Sequence, residues 1–457
     1  AGHRLNSVSE LIAIRDVSAI VSPGSHEPVI SQRSIFIRDG VILGVGDFSL
    51  LASMYGQPDV VLDGRKKVAI PGFYDLHTHI AMLGFRGLLV DADRPVHETF
   101  FMLSSEMDRE TAYRLAVAGA LEALKSGIVL VADVFFQAEG VAEALESVGI
   151  RGLVGYCFIN HEEAAHSESE IGRAIEFGKR WRENALVKPA IAPYSVDTVS
   201  REQLELLARL ARELGVHLHV HLARSREEMK YTRELTGYTP VLYAYRLGLL
   251  GPRTIAAQAN VVSEQERFIL AQSGSLIAQC PSSSMLEGLP IHAYEYWQLG
   301  GNVAVGTDSP SLNDNIDFFE ELRLMVYAQR VQLERKVWKA WDLLEVSTRR
   351  AAQLLGLRAG AIERGAEADI VLLDARRPWC KPAFNLAASI VYSASSGDVD
   401  TVIVRGKPVI IGGRHVALDE ERALLQAEVA AMNFLEKILD EHPELESVLP
   451  ARSEKEI

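Results

Sequence analysis

A chain of 457 residues, 48% hydrophobic and 24% charged, is long enough for one large folded domain and a smaller one. Its formal net charge of −14 argues against general binding to nucleic-acid backbones or anionic membranes. It still leaves room for a basic pocket around a small acidic substrate. No apolar run approaches the ~18 residues a bilayer-spanning helix needs, and the opening AGHRLNSVSE lacks the charged-then-apolar pattern of a secretory leader. Cys157, Cys280 and Cys380 are widely spaced and form no CxxC pair, which reads as reduced, packed thiols. The expectation is a soluble cytoplasmic protein with no nucleic-acid or membrane partner.

From the N-terminus, LIAIRDVSAIV, SIFIRDGVILGVG and VVLDGRKKVAI are short β-branched runs broken by Gly, Asp and Pro. The middle of the chain then alternates. Strands are expected at 68–79, 128–135, 152–159, 190–195, 217–223, 254–261, 275–280 and 302–308. Between them lie amphipathic helical patterns such as TAYRLAVAGALEALKSG and REQLELLARLARELG. Eight strands each followed by a helix indicate an α/β fold, a (β/α)₈ barrel. The β texture returns in ADIVLLDA and DVDTVIVRGKPVIIGGRHV, so both chain ends are expected to fold into one small sheet-based domain. The boundaries are then 1–67 with 360–416 for the sheet domain, 68–359 for the barrel, and 417–457 for a C-terminal helix and tail.

Residues two apart in a strand share a face. Asp75, His77 and His79 in PGFYDLHTH therefore point together, as do His217, His219 and His221 in HLHVHLA. The C-terminal mouth of a barrel is where its chemistry occurs, which collects His77, His79, His221 and Asp308 from strands one, five and eight. Three imidazoles and a carboxylate can hold one divalent metal and leave a position for water. The bland reading, hydrogen-bonded core histidines, would have to bring four such groups together by accident. His219, one layer lower, reads as a supporting or core residue.

With these motifs the chain resembles the amidohydrolase superfamily, in the branch that holds triazine chlorohydrolases and cytosine, guanine or S-adenosylhomocysteine-type deaminases. The resemblance spans essentially the whole chain through PGFYDLHTH, LKSGIVLVADV, LGVHLHVHLARS, AQCPSSSM, GTDSPSLNDNIDFFEELRL, VSTRRAAQLLGL, ERGAEADIVLLD and VYSASSGDVDTVIVRGKPV. It implies one divalent metal held by His77, His79, His221 and Asp308, with zinc first and iron or manganese as alternatives. It also implies a β-sandwich at the joined chain ends and a homodimer, for which the C-terminal helix could serve.

Four positions depart from the deaminase pattern. Arg224 stands where relatives resemble H-x-A-E, Gln258 replaces a strand-six His, Ile191 a strand-four His, and Gln279 a His before CPSS. Arg stays protonated and Gln cannot relay a proton, so Asp308 is the one evident proton carrier. Arg224 has two readings: a fork for a substrate carboxylate or polarised oxygen, or a partner for Glu227, Glu228 or another wall carboxylate. Arg224 and Gln258 are expected to orient substrate, with Tyr194, Phe135, Gln279, Ser309 and Asn313 around it. His161 and His166 read as solvated loop residues. The leading expectation is a metal-dependent hydrolase of amide, carbamoyl or amidine C–N bonds in a small acidic or N-heterocyclic molecule. The rivals are a dechlorinase or deaminase of a triazine-like ring, and an inactive binding protein.

Overall fold

The computed structural model describes residues 9–92, 96–159 and 164–449, the side chains of 164–167 excepted. His161 and the side chain of His166 lie outside the described residues. In chain order the strands are β1 Ile12–Val21, β2 Val29–Arg38, β3 Val41–Gly46, β4 Val60–Asp63, β5 Lys67–Pro71, β6 Phe73–Thr78, β7 Ile128–Phe135, β8 Arg151–Phe158 and β9 Val187–Pro193. They continue as β10 His217–Leu222, β11 Thr254–Gln258, β12 Leu276–Gln279, β13 Asn302–Val305, β14 Ile370–Asp374, β15 Val399–Val404, β16 Lys407–Ile411 and β17 Arg414–His415. The chain divides into two compact units.

The first unit takes residues up to Tyr74, Lys125–Val129 and Lys339–Ala417. Its nine-stranded mixed sheet runs β17-β16-β15-β14-β5-β1-β2-β3, with β4 also paired to β1. The two chain ends join where β5 and β14 pair antiparallel, Ile70 opposite Val371. Ile14, Val17, Ile35, Ile370, Leu372 and Ile403 form its core. The expected strand 68–79 is two strands here. The break falls at Gly72, where a Cβ would sit 2.2 Å from Val129 Cγ1, so no larger residue lets the chain pass at that point.

The second unit takes Asp75–Leu124, Leu130–Trp338 and the chain from Leu418. Strands β6 to β13 lie in sequence order in one eight-stranded sheet. Their registered pairings are parallel, and a parallel bridge from Thr78 to Asp308 joins first strand to last. This is the (β/α)₈ barrel the alternation predicts. All eight residues of β7 are buried, as a strand covered on both faces requires. Its helices are punctuated by sequence: Ser200 caps 201–214 and Gly215 ends it in the left-handed conformation, while Ser225 caps 226–236. The helix Glu420–Glu441 groups with this unit, Phe434 meeting Phe85 at 6.0 Å between ring centres. Among the described residues no helix is long and apolar enough to cross a membrane.

Candidate metal centre

His77 lies in β6, His79 one residue past its end, His221 in β10, and Asp308 in the loop after β13. Each offers one donor atom, and the four lie within 4.8 Å of one another. His79 Nε2 stands 3.2 Å from His221 Nε2, and Asp308 Oδ1 lies 3.4 Å from His77 Nε2. The other ring nitrogens are tied elsewhere. His79 Nδ1 meets the Val134 carbonyl at 2.7 Å, and His221 Nδ1 meets the Tyr194 carbonyl at 2.8 Å. A carbonyl can only accept, so both Nδ1 atoms carry the proton and both Nε2 lone pairs face the centre.

His77 is held by a side chain instead, and in that contact either ring can be the donor. Its Nδ1 lies 2.8 Å from His219 Nε2, while its own Nε2 is buried with no hydrogen-bond partner. A buried ring nitrogen without a hydrogen-bond partner is costly unless something else is meant to meet it, as a cation would meet its lone pair. Burial holds the pKa of His79 down to about 4 and those of His219 and His221 well below the ordinary histidine value. The rings of His79, His219 and His221 are therefore neutral near pH 7, the form in which an imidazole ligates metal. Burial alone would raise Asp308, but His77, His79 and Ser283 hold its carboxyl well below the usual range. The donor set fits one divalent cation.

Asp308 Oδ2 accepts Gln258 Nε2 at 2.9 Å and Ser283 Oγ at 2.6 Å. Asp308 has φ 59°, Gln258 φ 72° and Ala259 φ 49°. These left-handed conformations are strained for side-chain-bearing residues, and such strain collects where function demands it. Neither loop relaxes because each is tied down: Asp308 N to His77 O at 2.9 Å, and Ala259 N to Leu222 O at 2.9 Å.

A cavity of about 550 Å³ opens on the donors, lined among others by His97, Glu98, Phe101, Tyr194, Arg224 and Ser309. Its wall beside β10 is an ion cluster. Arg224 binds both oxygens of Asp197, at 2.8 and 3.3 Å, and Glu98 Oε1 at 2.7 Å. Glu228 Oε2 lies 3.2 Å away, and the Arg224 guanidinium rests over the Tyr194 ring at 5.4 Å. One cation faces three carboxylates, so its charge is already met. The pairing reading of Arg224 is the one these contacts satisfy, with Glu228 supplied from the 226–236 helix, Asp197 from the loop after β9, and Glu98 from the helix His97–Leu103.

The structure brings His79, His221, Asp308, Arg224, Gln258, Tyr194 and Ser309 to one cavity, and His77 joins the donor cluster from beneath its lining. Phe135, Gln279 and Asn313 are not among its lining residues. Phe135 is fully buried against Phe101 and Phe136. Asn313 donates to the Thr307 carbonyl and Ser282, and Gln279 donates to the backbone oxygen of Gln258. Sequence reading did not single out Glu98, Asp197, Phe101 or Ser283. Glu98 carries no local signal, whereas Ser283 lies in the CPSSS motif that had already been marked.

The amidohydrolase-family model matches residues 68–409. A 5-methylthioadenosine/S-adenosylhomocysteine deaminase from Pyrococcus furiosus is 32% identical over 406 residues, covering 87% of this chain and 95% of that protein. A 5'-deoxyadenosine deaminase from Methanothermobacter thermautotrophicus is 32% identical over 408 residues, 88% of this chain and 95% of its own. Among solved structures, a zinc-bound adenosine deaminase from Xanthomonas campestris superposes with a TM-score of 0.86 at 25% identity, over 93% of this chain and 98% of that one. The zinc complex of atrazine chlorohydrolase from Arthrobacter aurescens shares the fold, with a TM-score of 0.84 at 22% identity over 92% and 100%. With its barrel, its three histidines and aspartate at the mouth, and this match across most of its length, the chain belongs to the amidohydrolase family.

Proposed function

We propose that this protein is a metal-dependent hydrolase that cleaves a C–N bond of amidine type in a small molecule, releasing ammonia or an amine. The observation that carries the reading is the convergence of four donor atoms within 4.8 Å, two of their rings oriented by backbone carbonyls. His77, His79, His221 and Asp308 would hold the metal, with zinc first because the adenosine deaminase neighbour binds it. When bound, such a cation supplies Lewis acidity and makes water nucleophilic near neutral pH.

The chain's own groups do the rest. Asp308 takes a proton from the attacking water and returns it to the departing nitrogen. Gln258 and Ser283 keep that carboxylate oriented through Oδ2. Tyr194 and Phe101, their rings 5.0 Å apart, offer a flat apolar wall for a planar substrate. No carboxylate stands at position 224 to protonate a ring nitrogen, so carbons already electron-poor are the better substrates. The three cysteines are free and buried, which supports a reducing, cytoplasmic setting.

The test is ammonia release by the zinc-loaded protein across amidines, amides and aminoheterocycles. Asp308→Asn should lower turnover by roughly a thousandfold or more with the circular dichroism spectrum unchanged; undiminished turnover sinks the mechanism. Chloride release without ammonia would select the dechlorinating reading. Protein that takes up no metal under zinc-replete expression would select a binding role.

A further inference from the structure

Glu321, in the helix Phe318–Leu333, is fully buried. Both of its oxygens go to one serine: Oε2 accepts Ser282 N at 3.0 Å, and Oε1 accepts Ser282 Oγ. The charged groups felt most strongly there are other acids, Asp75 and Glu320, and burial pushes the carboxyl well above its ordinary value. Ionised or protonated, it can bond both Ser282 groups. A carboxyl held out of water without a cation costs stability, so packing alone does not account for its place.

Two routes lead from Ser282 to Asp308. Ser282 lies in the first turn of the helix Pro281–Leu286, whose N-cap residue, Cys280, makes no side-chain cap bond. Glu321 supplies the missing acceptor from another helix. The next residue, Ser283, donates to Asp308 Oδ2 at 2.6 Å. The second route runs through Asn313, whose Nδ2 donates to Ser282 Oγ at 2.8 Å and to the Thr307 carbonyl at 2.6 Å. That uses both amide protons and fixes which end of the amide is which, since its oxygen would repel the Thr307 carbonyl. Thr307 is gripped from its other side by Asp75, whose oxygens accept its N–H at 3.1 Å and its hydroxyl at 2.6 Å. The peptide leading into Asp308 is thus held from both sides, and Asp308 keeps its left-handed φ of 59°.

We propose that Glu321 is a positioning residue for Asp308: through Ser282 it sets the contact that Ser283 makes with Oδ2, and through Asn313 it sets the backbone that carries the carboxylate. It touches neither metal nor substrate. The inference deepens the proposed metal-dependent hydrolysis and rests on it for its context. Asp308 has different neighbours at its two oxygens. Oδ1 lies 3.4 and 3.6 Å from His77 and His79 Nε2, while Oδ2 is held by Gln258 and Ser283. A turn of the carboxylate would misdirect both oxygens at once, and a ligand that also carries a proton depends on that direction.

The test loads the full-length protein with cobalt, whose visible absorption reports donor geometry, and measures cobalt affinity by chelator competition. Kinetics on the zinc-loaded protein accompany it. Glu321→Met and Ser282→Ala should each shift the cobalt spectrum and weaken cobalt binding by about tenfold or more, with kcat lowered and KM unchanged. Glu321→Gln, which still offers an acceptor to Ser282 N and a partner to its hydroxyl, should restore spectrum and affinity to within about twofold of wild type. Leu322→Ala, at the next and fully buried position of the same helix, is the control: it should lower the melting temperature and leave the spectrum as in wild type. An unshifted spectrum in Ser282→Ala overturns the inference even where Glu321→Met does not fold. So does a Glu321→Gln no better than Glu321→Met, or an equal shift in Leu322→Ala. Wild type that binds cobalt but hydrolyses nothing removes the hydrolytic reading, and the spectra then decide the inference alone. Wild type that takes up no metal overturns both.

Discussion

The two sides of the barrel mouth are built on different principles. On the donor side, strands place the groups, and two of the three rings are oriented by main-chain carbonyls, Val134 to His79 and Tyr194 to His221. On the Arg224 side, the guanidinium is held by carboxylates from three separate segments, of which Glu228 is also anchored by the Ala223 and Arg224 main-chain N–H groups. The first arrangement follows from the fold and tolerates sequence drift elsewhere. The second balances charges that must all be present together.

The largest effect should come from breaking that balance. Arg224→Glu would restore the residue type relatives resemble at this position, yet it would set a fourth carboxylate among Glu98, Asp197 and Glu228. Asp197 and Glu228 are 11% and 0% exposed against 45% for Glu98, so two acids would be left buried without a cation. We expect a loss of about 3–5 kcal/mol, read by denaturant unfolding, and no gain of ring deamination. A stable Arg224→Glu variant with deaminase activity would reverse the contrast between the two sides.

Among the three donor rings, only His77 is held by a side chain, and the donor side should give way there. His219→Phe removes the partner of His77 Nδ1 and should weaken metal affinity by about 10–100-fold, measured by chelator competition. An equivalent loss has no single-residue counterpart at His79 or His221, whose supports are main chain.

A smaller effect separates the sides by pH. Burial lifts the Glu228 carboxyl to about 7, against the pull of Arg224. Its folded pKa lies above the ordinary 4.5, so the native state binds the proton more tightly than the unfolded chain does. That stabilisation is complete below about 4.5 and is lost as pH rises through about 7. Glu228→Gln should flatten this decline by on the order of 1–3 kcal/mol, seen as the difference between variant and wild-type unfolding curves from pH 5 to 8. The difference isolates Glu228 from Asp75 and Asp133, which burial lifts to about 7 and about 8 in the same sense. An unchanged slope would show that burial does not lift the Glu228 carboxyl.

What was legible in the sequence follows the same division. The barrel and the four donors could be read because strand periodicity fixes which residues share a face, and the mouth collects whatever ends the strands. His219 could be placed one layer below His221 by the same rule, though not its bond to the His77 ring. The environment of Arg224 could be read only in part. Glu228, four residues on in a helix, was within reach of local reasoning, but Glu98 lies 126 positions away and nothing nearby in sequence announces it. Phe135 shows the limit of counting strand ends: it stops at the right level and is covered by Phe101. Gln279, expected beside the substrate, donates to the Gln258 carbonyl, a contact that strand counting does not foresee.

The ring of strands meets itself at one seam, where Thr78 Oγ1 bonds the Asp308 carbonyl across 230 residues of chain. His77 and His79 lie on one lip of that seam and Asp308 on the other. A cation gripped by both would act as a rivet as well as a reagent, shortening the longest circuit the polypeptide must close. Losing the ion would then loosen the cylinder as well, because His77, His79 and Asp308 serve both the donor set and the seam.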